Sequence, residues 1–159
     1  MALQILINLA LAALWMFLSS NFSVASFTAG YLLGMLAVYM LRNFLPGSFY
    51  LRRVKAVIVL VIIFIWQMIL ANIDVVKVVL SPKVDIRPGF FAYPCDLEDE
   101  WAVSLLSALI TLTPGTVVVA ISDDHSTLYV HGLDVEDSET EIASIKDSFE
   151  QAIKEVKKP

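Results

Sequence analysis

The chain has 159 residues, 58% of them hydrophobic, with a formal net charge of −5. Soluble proteins average about 45–50% apolar residues, so this composition points to a membrane protein. The charge is split: residues 1–84 hold six basic residues against one acid, Asp74, a net +5, and residues 85–159 hold five basic against fifteen acidic, a net −10. The acidic half lacks the Lys/Arg patches that phosphate neutralisation needs, which excludes nucleic acid as a partner.

Residues 2–20 carry no charge. The stretch resembles the apolar core of a signal peptide, and Ser23-Val24-Ala25 is a passable cleavage site. No Lys or Arg precedes it, however, so it reads as a first membrane span. Residues 24–41 predict a second, ended by Arg42. Within it Ser26, Gly30 and Gly34 recur every four residues, with Ala37 beside them. At helical spacing these small residues make a flat stripe that permits close helix approach, which matters because lipid supplies no hydrophobic drive between helices. The stripe is a docking face for another helix, either one from another subunit or residues 2–20 in a self-contained hairpin. Residues 56–73 are the strongest span, preceded by Arg52, Arg53 and Lys55. The following segment, Asp74 to Leu80, keeps a helical apolar pattern, so the helix is expected to continue along the interface until Ser81-Pro82 stops it.

Basic residues lie on both sides of the third span: four in 42–55, and Lys77, Lys83 and Arg87 beyond it. The positive-inside rule wants both flanks cytoplasmic, which one crossing cannot satisfy. Either one flank is outside, or one of the three segments does not fully span. A cytoplasmic C-terminal domain is the expectation. No Asp, Glu, Lys, Arg or His falls within 2–41 or 56–73. Chains that move protons or cations through their own helices place ionisable groups at that depth. Here only Gln4, Asn8, Gln67 and Asn72 are polar and neutral, the material of interhelical hydrogen bonds.

From Trp101 to Ser122 there is again no charge, long enough for a fourth span. Thr113-Pro114-Gly115-Thr116 interrupts it, because proline cannot continue the ladder and disfavours helix before it. A helix broken after about 13 residues rises only ~20 Å, short of the ~30 Å hydrocarbon core. The stretch therefore predicts a buried helix to Leu112, N-capped by Asp96 with Glu98, Asp99 and Glu100 in its first turn. A strand over Val117–Ser122 follows, then a turn at Asp123-Asp124-His125-Ser126 and a second strand over Thr127–Leu133. Leu128 and Val130 share one face of that strand, and Thr127, Tyr129 and His131 the other. Pro88 to Tyr93 offers a third strand. Ile142, Ile145, Phe149, Ile153 and Val156 form one apolar helical stripe, with a capping box at Ser138 and Glu141.

The expected fold is thus an α+β membrane protein. Transmembrane helices occupy residues 1–80, with spans at about 2–20, 24–41 and 56–73, followed by a small β-α-β-β-α cytoplasmic domain at 85–157. A domain of about 70 residues folds alone only marginally, so contact with the membrane half or with partners is expected.

Chemistry is sparse. There is no P-loop, dinucleotide fingerprint, nucleophile elbow or zinc spacing. Asp123-Asp124-His125 reads as a solvated turn rather than a metal site, and His131 as a polar-face histidine, although it could titrate near neutral pH. Cys95, the only cysteine, has no activating neighbour in sequence. No catalytic residue, cofactor or metal is expected.

Leu112-Thr113-Pro114-Gly115-Thr116, followed by Thr127-Leu128-Tyr129-Val130-His131 and Leu133-Asp134, resembles the signature of the E subunit of Mrp-type multisubunit cation/proton antiporters. The hydrophobic N-terminal segments, the Ser81-Pro82 stop before Ile86-Arg87-Pro88-Gly89, and the C-terminal amphipathic helix extend the resemblance over nearly the whole chain. It implies an accessory subunit of a bacterial plasma-membrane complex that exchanges Na⁺ for protons, with the ion path in larger subunits. Its partners would be those subunits and the lipid bilayer. Thr113, Pro114, Gly115 and Thr116 carry over as a helix-stopping turn. The competing expectation is a membrane-anchored regulatory domain that senses an ion or pH through His131 or the Asp123-Asp124 turn.

Overall fold

A computed structural model of the chain describes residues 2–45, 49–83 and 86–158. Its helices α1 (Ala2–Leu18), α2 (Val24–Met40) and α3 (Tyr50–Leu80) precede strand β1 (Gly89–Pro94), helix α4 (Glu100–Leu112) and strands β2 (Thr116–Ile121) and β3 (Thr127–Gly132). The chain ends in α5 (Ser138–Ile145), a π-helical turn over Lys146–Glu150, and α6 (Gln151–Lys157).

Among the described residues, only α3 is long and apolar enough to cross a membrane by itself. At 31 residues it rises ~46 Å. α1 and α2, at 17 residues each, rise only ~25 Å, at the short end of what a span needs. The apolar run of α3 continues through Asp74 and Lys77, as the sequence suggested, and those two pair at 2.7 Å on an exposed face.

Two compact units divide the chain, one running to Lys55 and the other from Ala56 to Lys158. That division falls inside α3. Residue 85, expected to begin the second domain, lies outside the described residues. The physical reason is that α3 buries side chains in the core of the α+β unit: Leu60 belongs to that core, with Ile63 and Phe64 packed against it.

In the first unit α1 packs on α2. Ser23 caps α2 by accepting the amide of Ser26 at 3.2 Å, and Ser19 and Ser26 share a hydroxyl hydrogen bond of 3.0 Å.

In the second unit a three-stranded antiparallel sheet has the order β1-β3-β2. The Pro88–Tyr93 segment does supply the third strand, and Leu128 and Val130 face the core, both fully buried. They meet Phe91 and Tyr93 of β1, Ala102, Val103, Leu106 and Ile110 of α4, and Ile145, Phe149 and Ile153 of the C-terminal helix. Residues 100–112 are thus a helix with one face buried in this core, and the β2–β3 hairpin follows it. A bulge between Val118 and Ala120 shifts the β2 register.

Two caps differ from the sequence reading. Asp96 does not cap α4. Its carboxylate pairs with Lys146 at 2.9 Å and Lys154 at 3.6 Å, and Asp99 holds the N-cap position without a side-chain cap bond. The cations of the C-terminal helix claim the acids of this loop, since Asp99 also meets Lys157 at 2.8 Å. The α5 cap is Asp137, not Ser138, and accepts the amides of Glu139 and Thr140. A carboxylate both caps those amides and meets the positive end of the dipole.

Candidate functional site

The small-residue stripe of α2 is buried at Ser26, Gly30, Gly34 and Val38, and α1 covers it. A Cβ at Gly30 would stand 2.7 Å from the Trp15 Cβ and 3.0 Å from the Ala12 carbonyl. A Cβ at Gly34 would collide with Asn8 Oδ1 and come within 3.1 Å of the Leu11 Cβ. The helix docked on this face is the chain's own α1.

That packing encloses a neutral polar cluster. Gln4 and Asn8 are fully buried. Gln4 Oε1 accepts the Tyr50 amide at 3.0 Å, Asn8 Nδ2 donates to the Tyr50 hydroxyl at 2.8 Å, and that hydroxyl donates to Tyr31 at 3.4 Å. The α1–α2 hairpin and the start of α3 are thereby tied by hydrogen bonds that apolar surroundings make costly to break.

The Thr113–Thr116 turn is a hydrogen-bonded corner. Thr113 ends α4, its hydroxyl donating to the Leu109 carbonyl at 2.8 Å. The Thr116 hydroxyl donates to the Ile110 carbonyl at 2.8 Å and the Thr113 carbonyl at 3.3 Å. These bonds satisfy carbonyls that a terminated helix leaves orphaned. Gly115 sits at φ +95, a left-handed conformation natural to glycine, and its carbonyl accepts the Leu133 amide at 2.8 Å. The corner lines a groove of about 570 Å³ together with Gln67 and Asp74 of α3 and the carboxylates of Asp134 and Glu141. Burial, and the nearby Asp134 and Asp137, push the Glu141 carboxyl upward. Asp134 also accepts the Arg87 amide at 3.0 Å, while Val135 donates to the Arg87 carbonyl at 2.9 Å. This clamp connects two of the motif segments, Ile86–Gly89 and Leu133-Asp134.

One buried centre carries little local signal in the sequence. Glu150, in the π-helical turn, is 1% exposed. Its Oε2 accepts the Tyr93 hydroxyl at 2.5 Å and its Oε1 meets Lys154 at 2.7 Å. Burial and the carboxylate push Tyr93 far above the usual phenol range, and Glu150 pushes Lys154 up. The wide turn carries both Phe149 and Glu150 inward. A charged residue next to a core phenylalanine gives no signal in a stripe read at helical spacing; only its i,i+4 pairing with Lys154 was visible. The arrangement is an ion pair between a buried carboxylate and a partly exposed lysine, with the Asp96 amide also 3.4 Å from Glu150 Oε2.

The proposed sensor residues are engaged locally. Asp124 accepts from the hydroxyls of Ser122 and Ser126 at 2.6 and 2.8 Å, which hold its carboxyl down at about 2. His131 Nδ1 lies 3.0 Å from the Gly89 carbonyl, and its ring packs on Phe90. Cys95 is buried, and burial pushes its thiol up. Among the described residues no group of His, Cys, Asp and Glu is arranged to hold a metal ion.

The fold thus joins two shorter apolar helices and one helix long and apolar enough to cross a membrane to an α+β unit, the build of a membrane-directed chain. The sequence matches the family described as "Na+/H+ ion antiporter subunit" over residues 8–156, and the chain belongs to that family. It is 52% identical over 156 residues to the E subunit of the Na(+)/H(+) antiporter of Bacillus subtilis (strain 168), covering 98% of this chain and 99% of that one. Among solved structures it is similar to a chain of the membrane-bound sulfane sulfur reductase, an archaeal respiratory membrane complex. That match has 27% identity and a TM-score of 0.57, over 96% of this chain and 98% of that one. It is also similar to a chain of the Mrp complex from Dietzia sp. DQ12-45-1b, with 34% identity and a TM-score of 0.43, over 53% of this chain and 80% of that one.

Proposed function

We propose that the chain is an accessory subunit of a multisubunit Na⁺/H⁺ antiporter, needed for assembly or full activity and not itself the ion path. One observation carries this reading: residues 2–41 and 56–73 contain no acid, lysine, arginine or histidine, and the polar side chains Gln4, Asn8 and Asn72 are engaged in neutral hydrogen bonds. Asn8 and Gln4 hold Tyr50, and Asn72 donates to the Met68 carbonyl at 2.7 Å. A proton or cation relay needs ionisable groups at that depth. α1, α2 and the first part of α3 are the membrane spans, and α3 leaves the bilayer near Asp74. The α+β domain stands on the cytoplasmic side, Ser26, Gly30 and Gly34 hold α1, and the Thr113–Thr116 corner fixes the domain's fold without catalysis.

The test is to tag the C-terminus, extract the protein from its native membrane in mild detergent and identify what co-elutes. Large multi-span antiporter subunits in fixed ratio support the reading. A chain that elutes alone while other complexes survive, or that transports Na⁺ by itself in liposomes, overturns it. Protease access to the α+β domain in right-side-out and inverted vesicles checks the sidedness.

A further inference from the structure

We infer that the junction of α2 and α3 is a binding site for anionic phospholipid headgroups. Arg42 follows α2, and Arg52, Arg53 and Lys55 lie in the first two turns of α3. The sequence has no acid before Asp74, and among the described residues none of these four cations takes part in an ion pair. The Arg53 Nε is buried and has no hydrogen-bond partner there. Three cations at the positive end of a long helix dipole repel it as well as one another. An anion placed among them relieves both repulsions and can accept from amides at the helix start.

The surroundings identify the anion's source. Arg42 stacks 4.3 Å above the Tyr39 ring, which touches Phe49 at 5.3 Å, and Phe49 touches Tyr50 at 5.1 Å. Met40, Leu41 and Phe44 are exposed beside them. Aromatic rings and exposed apolar side chains around unpaired cations mark the level where acyl chains meet headgroups. Clustered Lys and Arg next to a membrane helix attract anionic lipid. Gln4 holds the Tyr50 amide and so ties the start of α3, which carries Arg52, Arg53 and Lys55, to α1. A phosphate diester with acyl tails satisfies the charge and the apolar rim; free phosphate satisfies only the charge.

The test is native mass spectrometry of the full-length chain in mild detergent, titrated with phosphatidylglycerol or phosphatidylcholine of matched acyl chains, or with inorganic phosphate. Phosphatidylglycerol is expected to be retained about tenfold better than phosphatidylcholine. The preference should collapse in the Arg52→Gln/Arg53→Gln/Lys55→Gln variant and survive in Arg52→Lys/Arg53→Lys, which shows that charge and not folding is being read. Lys77→Gln serves as a control that keeps the preference. Equal retention of the two lipids, an unchanged preference in the triple variant, or displacement of the lipid by millimolar inorganic phosphate would overturn the inference.

Discussion

The side-chain carbonyl of Asn8 occupies the space where a Cβ at position 34 would stand. The Asn8 Oδ1 is buried without a hydrogen-bond partner among the described residues, and glycine lets it lie against the α2 backbone. Helix-packing contacts of this kind bring Cα–H groups to oxygen acceptors. Gly34→Ala is therefore expected to cost about 1–3 kcal/mol by overpacking. Thermal unfolding of the full chain in detergent checks this. Combining Gly34→Ala with Asn8→Ala should cost less than the sum of the single changes, because the clash is between those two residues.

Lys154 supplies the countercharge to the enclosed Glu150 carboxylate and Tyr93 donates a hydrogen bond to it. Lys154→Met leaves Glu150 buried and charged, and should destabilise the α+β unit by about 3–5 kcal/mol. Tyr93→Phe removes one hydrogen bond to that carboxylate and should cost about 1–3 kcal/mol. Urea unfolding followed by tryptophan fluorescence in a Trp15→Phe/Trp66→Phe background, where Trp101 of α4 is the remaining reporter, orders the two variants. Equal and negligible effects would mean that water reaches Glu150.

Glu141 gives a pH dependence of opposite sign to that of a salt-bridged acid. Its carboxyl is raised from the ordinary 4.5 by burial and by Asp134 and Asp137, so the native state holds the proton more tightly than the unfolded state. Stability from this group is greatest below 4.5 and falls as pH rises through the raised native value. Glu141→Gln should remove that slope and stabilise the protein at pH 7 by a few tenths of a kcal/mol, since the partly exposed group is screened. Melting temperatures of both proteins from pH 4 to 7 test this.

Gly115→Ala places a side chain at φ +95 and should cost about 1 kcal/mol or more. Thr116→Val deletes a hydroxyl that serves two carbonyls, at a cost of about 1–2 kcal/mol. If the corner is architectural, both variants should reduce subunit yield and assembled antiporter in proportion. Lost exchange activity with full assembly would point to a direct role instead.

Cys95 should react with maleimide only when the domain opens. Its thiol is buried and its ionisation is disfavoured, and the thiolate is the reactive form. Labelling of the folded chain should be slow at pH 7.5 and accelerate with the unfolding transition. Rapid labelling in native detergent extracts would show that the β1–α4 loop opens on its own.

Elements whose signal is local are legible in the residues of a single segment. Charge-free runs predicted the helices of the first half, Pro114 placed the end of α4, and alternation at Leu128 and Val130 named the buried face of β3. These are period and propensity effects within a few residues, so one segment suffices to read them. Competing local signals are resolved by packing between distant segments. Asp96, Asp99, Asp137 and Ser138 are all acceptable caps. The lysines of the C-terminal helix drew Asp96 and Asp99 into ion pairs, and Asp137 became the cap that α5 uses. The stripe of Gly30 and Gly34 admitted more than one docking helix, and the fit of Trp15 and Asn8 in its hollows selected α1. Glu150 became a core residue because a π-helical turn rotated it toward Tyr93, a partner 57 positions away. Pairings across that distance depend on the packed arrangement of β1 against the C-terminal helix, and that arrangement is set by the core as a whole.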